Sequence, residues 1–95
     1  MMLTANTHFD GNATIKTKIL KRNQILIDNR LSGVQSCNEE RANVFVHFND
    51  SVHYVRIDRL SKKVEFRERA NVGCREAEKF VEDNFEQFDQ FCSTL

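Results

Sequence analysis

The chain has no proline, no tryptophan and only three glycines among its 95 residues. Long flexible linkers, polyproline segments and collagen-like repeats depend on those residues and are therefore excluded. No apolar run approaches the roughly 18 residues that read as a membrane-spanning helix. An excess of either charge is missing too. Fourteen basic and fourteen acidic side chains cancel, and an isoelectric point near 6.8 falls short of the strongly basic footprint of a dedicated nucleic-acid binder. The three cysteines, Cys37, Cys74 and Cys92, are odd in number and widely spaced, which fits neither a disulfide framework nor the close ligand pairs of a structural zinc site. Met1 to Asp10 carries neither the basic start nor the apolar run of a secretory signal, so an intracellular, cytoplasmic and reducing setting is expected. In that setting the sequons at Asn12-Ala13-Thr14 and Asn49-Asp50-Ser51 have no chemical consequence.

What is present is a modest core. Apolar residues make up 40% of the chain and eight of them are phenylalanine, enough for one domain spanning residues 1–95. A chain of this size buries only about two-thirds of the surface its unfolded form exposes, so a deep enclosed active site is not expected. The first dozen residues are polar and end in Asp10-Gly11-Asn12, which reads as a loosely packed tail, residues 1–12. Charge is graded along the chain: residues 1–35 carry a balance of +3, residues 36–72 of +1 and residues 73–95 of −4.

The hydrophobic period then divides the chain. Thr14 to Leu20 alternates Ile15, Thr17 and Ile19 with Lys16 and Lys18, a strand with a basic outer face. Lys21-Arg22-Asn23-Gln24 interrupts it, and Ile25-Leu26-Ile27 suggests a returning strand through residues 24–28. A helix competes there, because Leu20, Ile27, Leu31 and Val34 fall at helical offsets. Ser32 to Ala42, with Cys37, reads as a connecting loop. Asn43 to Phe48 and Val52 to Ile57 flank Asn49-Asp50-Ser51, a hairpin signal, and Lys63 to Arg67 continues as a half-wet strand. From about Cys74 towards Cys92 the spacing becomes helical, with Ala77, Phe80, Val81, Phe85, Phe88, Phe91 and Cys92 on one stripe. The expected fold is α+β: an antiparallel meander of four to five strands with one C-terminal amphipathic helix packed on one face.

Candidate chemistry is sparse. In a three-residue loop His47 and His53 would face each other across the hairpin and invite a metal; in a two-residue turn His47 pairs with Val52 instead. Cys74 at a helix start is the one thiol with an electrostatic reason to be activated, but the sequence shows no base for it. Neither a metal nor a cofactor is expected, nor an enzyme. The basic residues Lys16, Lys18, Lys21, Arg22, Arg56, Lys62, Lys63 and Arg67 form an alternative, nucleic-acid-binding surface.

The leading expectation is a small regulatory or binding protein without catalytic activity. One helix hides one sheet face, leaving apolar groups on the other that either mark an interface or are covered by the N-terminal segment itself. The residues assigned to a protein partner or a second copy are Phe45, His47 and Tyr54 on the sheet and Glu82, Glu86 and Asp89 on the acidic helix surface, where Glu86 and Asp89 oppose the dipole of a helix ending near Cys92. Homodimerisation is its simplest use. Compact size and sparse chemistry resemble the small accessory proteins of phages and mobile elements, a likeness of style that rests on no motif.

Overall fold

The structure, a computed structural model, describes residues 20–95. Five strands follow in order: β1 (Gln24–Ile27), β2 (Arg30–Cys37), β3 (Arg41–Phe48), β4 (Ser51–Asp58) and β5 (Lys63–Glu65). Each pairs antiparallel with its neighbour in sequence, giving one sheet of order β1-β2-β3-β4-β5. Two helices close the chain, α1 (Val72–Asp83) and α2 (Phe85–Ser93). The α+β class and the antiparallel meander are therefore present as expected, and the number of helices is not.

Turn chemistry sets the register. Asp28 and Asn29 have φ of 51° and 60°, and Asn49 and Asp50 have 47° and 65°. Two consecutive left-handed residues give the two-residue hairpin turn whose twist matches that of the strands, and Asn and Asp are the side-chain-bearing residues that accept it most readily. Phe48 therefore pairs with Ser51 and His47 with Val52. Between β2 and β3, Asn38 Oδ1 accepts from the N–H groups of Glu40 and Arg41, both at 2.8 Å. Between β4 and β5, Asp58 Oδ1 accepts from Ser61 and Leu60, and the Ser61 N–H foremost holds this carboxyl below its usual range.

The core lies between one sheet face and the helices. Val44 and Val46 of β3, Val55 and Ile57 of β4, Ile27 and Val34 meet Ala77, Val81, Phe88 and Cys92. Helix α1 packs on β3, β4 and β5, and α2 reaches across to β2. Asn71 caps α1 by accepting from the Cys74 N–H at 2.8 Å.

Two expectations are corrected and one open alternative is decided. The single helix from Cys74 to Cys92 is broken at Asn84, whose side-chain amide donates to the Phe80 carbonyl at 2.8 Å while its own carbonyl accepts from Gln87 at 3.0 Å. An Asn side chain that bonds the preceding turn competes with continuation of the helical ladder. Glu86 consequently sits in the first turn of α2, where a negative charge suits the dipole. The loop read over residues 32–42 shrinks to residues 38–40: β2 continues to Cys37, with Ser32 and Val34 buried, and β3 begins at Arg41. The helical alternative for residues 20–34 is replaced by β1 and β2, and Lys21 to Gln24 forms a turn closed by Gln24 N–H on the Lys21 carbonyl at 2.9 Å. The strand read over Thr14–Leu20 falls on residues 14–19 and Leu20, so nearly all of it lies outside the described residues, as does the N-terminal tail.

Candidate protein interface on the open sheet face

With both helices on one side, the opposite face of the sheet is assembled from the alternate residues of four strands. Leu26 pairs with Leu31 across β1 and β2, and Phe45 pairs with Tyr54 and His47 with Val52 across β3 and β4. The Phe45 ring meets His47 edge-on at 6.0 Å between centroids and Tyr54 at 6.3 Å, an arrangement that aromatic quadrupoles favour. Tyr54 is 42% exposed and Val52 41% exposed.

Phe45 itself is only 9% exposed, because it lies across Gly33, its partner in the β2–β3 register. A Cβ on Gly33 would collide with the Phe45 ring and with the Asn23 carbonyl oxygen. The glycine is thus required by the ring and by the backbone turn together. At one end of this face Leu31 and His47 border a groove of about 640 Å³. At the other, Asn43, Arg56, Glu65 and Arg67 form a polar rim beside Tyr54. Arg56 and Glu65 meet at 3.7 Å with both side chains largely exposed, so their attraction adds little stability.

The acidic helix surface does not form one unit. Glu82 and Glu86 are exposed on different helices. Asp89 instead accepts from Arg59 Nε at 2.6 Å and lies 3.9 Å from Lys62 Nζ, so its charge is engaged within the fold. The basic residues are also dispersed. Lys21 and Arg22 precede β1 at one edge of the sheet, whereas Lys62 and Lys63 sit at the turn into β5 at the other. Arg67 donates to the Tyr54 carbonyl and to Cys74. Lys16 and Lys18 lie outside the described residues.

The histidines are not opposed. The two-residue turn places His47 on the open face and His53, paired with Val46, on the helix side. Among the described residues no group of three or more His, Cys, Asp or Glu is placed to hold a metal, and no helix is long and apolar enough to cross a membrane. His53 Nδ1 lies 3.7 Å from Cys74 Sγ. Sequence reasoning missed this contact, although the two-residue turn, once chosen, already sends His53 towards the helices.

These features define an α+β domain with a helix-covered face and an aromatic open face. Comparison of the chain with protein-family models, with curated proteins and with solved structures finds no match.

Proposed function

We propose that this chain is a small non-enzymatic binding protein of the reducing intracellular compartment, and that its open sheet face docks a second copy of itself. The observation that carries the reading is the strip formed by the half-buried Leu26, Leu31 and His47 and the exposed Val52 and Tyr54 around the Phe45 ring, which neither helix covers among the described residues. Sheets pack face to face through such surfaces, and exposed aromatic groups supply contact area with little loss of conformational freedom. Charge favours a like partner. The chain is neutral overall, so two copies do not repel at long range. The rim carries Arg56 beside Glu65, and a two-fold axis can set each against its opposite in the other copy.

Light scattering coupled to gel filtration tests this. The expected mass is twice the 11.1 kDa of one chain, and the V52K/Y54K double variant should return to one chain that remains folded by circular dichroism and melts lower, as loss of a native-state partner requires. A wild-type protein that remains monomeric at hundreds of micromolar, or a variant that still dimerises, overturns the reading. Binding of oligonucleotides with a steep salt dependence would favour the nucleic-acid alternative instead.

A further inference from the structure

Away from the open face, three elements converge on one sulfur. We propose that Cys74 is a modification site, a reactive thiol that forms a mixed disulfide with small disulfides of the glutathione type. Cys74 is the third residue of α1 and is partly exposed. His53 Nδ1 of β4 stands 3.7 Å from Sγ, and Arg67 Nη1 donates to the same sulfur at 3.4 Å.

Both partners are held in place. The His53 ring packs edge-on to Phe48 at 6.3 Å and occupies the space above Gly73, where a Cβ would stand 3.1 Å from His53 Cε1. Arg67 is fixed through its backbone: its N–H donates to Glu78 Oε2 at 3.0 Å, and its carbonyl accepts from Arg75 Nη2 at 2.9 Å. Glu78 is 1% exposed, and its other oxygen accepts from Arg75 Nη1 at 2.9 Å. This buried acid is therefore satisfied, and it orients the segment that carries the Arg67 guanidinium. A nucleophilic sulfur beside a base, a cation and the first turn of a helix is the environment in which thiol exchange is fast.

The exchange balances with the small disulfide as the oxidant: Cys74 is oxidised and one half of the disulfide is reduced. The Cys74 S–H proton passes to His53 Nδ1, and the sulfur attacks one sulfur of the small disulfide. The disulfide's own S–S bond breaks, and the departing half leaves as a thiolate that takes the proton back from the imidazolium. Arg67 faces the negative charge while it is on sulfur. The other two thiols serve as internal references. Cys92 is buried, whereas Cys37 is exposed and its thiol points at the Cys92 carbonyl at 3.8 Å.

The full chain is incubated at neutral pH with glutathione disulfide and, separately, with iodoacetamide, and the labelled peptides are quantified by mass spectrometry. Cys74 should react about tenfold faster than Cys37 with both reagents. His53→Gln and Arg67→Met should each slow Cys74 several-fold, leave the rate at Cys37 unchanged and leave the buried Cys92 unlabelled, and the silence of Cys92 separates loss of activation from loss of fold. A Cys74 no faster than Cys37, or a rate indifferent to both substitutions, overturns the proposal. Alkylation of Cys74 without a mixed disulfide overturns it as well.

Discussion

Arg59 and Asp89 join the turn after β4 to α2: the guanidinium Nε donates to Asp89 Oδ1 at 2.6 Å, with the two side chains only 13% and 18% exposed. The same guanidinium reaches the Asn38 carbonyl at 2.7 Å and Ser93 Oγ at 2.8 Å. Three segments distant in sequence therefore share one cation. The bond to Asp89 also holds the Arg59 side chain above its usual pKa.

Removal of this cation should be costly for a residue so near the surface. Arg59→Ala leaves Asp89 and the Asn38 carbonyl without their donor, and hydrogen bonds to charged groups are worth about 1.5–3 kcal/mol. Asp89→Asn keeps an acceptor and should cost less. Urea denaturation of the two single variants and of the double variant R59A/D89N checks both statements, and the expected result is a clear coupling between the positions.

The two phenylalanines at the centre of the C-terminal stripe should separate in an alanine scan. Phe88 is fully buried and meets Phe80 edge-on at 6.4 Å, so Phe88→Ala should remove about 3–5 kcal/mol and come close to unfolding the domain. Phe85 follows the break at Asn84 and is only partly buried against the core. Its replacement by alanine should cost roughly half as much, since the transfer contribution scales with the area hidden from water. Midpoints of urea denaturation, with the slope unchanged, provide the measurement.

Alkaline pH should expose the state of Cys92. Burial foremost, with Cys37 nearby, pushes its thiol from 9.0 up to about 11. Above pH 9 the unfolded chain releases this proton while the folded chain keeps it, so stability is complete below pH 9 and declines as pH rises towards 11, by at most about 1.4 kcal/mol per pH unit. Thermal melts between pH 8.5 and 11 should show a steeper decline for the wild type than for Cys92→Ala, whose unfolded chain has no such proton to lose.

Much of this architecture is written in local patterns. The alternation from Asn43 to Ile57 and the Asn49-Asp50 turn specify a hairpin, because each face repeats every second residue. The stripe from Ala77 to Cys92 specifies helix over that hairpin for the same kind of reason. Less was legible where a residue acts through a distant partner. Gly33 looks like a loop signal until Phe45 is seen lying over it. Asn84 is an unremarkable polar residue in a helical stripe until its amide takes the Phe80 carbonyl. The candidate interface residues Phe45, His47 and Tyr54 share a face only in the two-residue register, which the sequence left open beside a three-residue loop and which the left-handed Asn49 and Asp50 select. Asp89 could not be separated from Glu82 and Glu86, because its partner Arg59 lies thirty positions away. The pairing of His53 with Cys74 is equally non-local.

The order β1-β2-β3-β4-β5 also bears on how the polypeptide emerges during synthesis. Among the described residues no strand waits for a remote partner, so hairpins can zip one after another with little loop-closure penalty, a route that favours quick folding. The helices come last. Until residues beyond Val72 have left the ribosome, Val44, Val46, Val55 and Ile57 stand bare on a finished sheet whose reverse side is already greasy. That interval is when a nascent chain of this design is most prone to clump, and when a chaperone would have the most to shield.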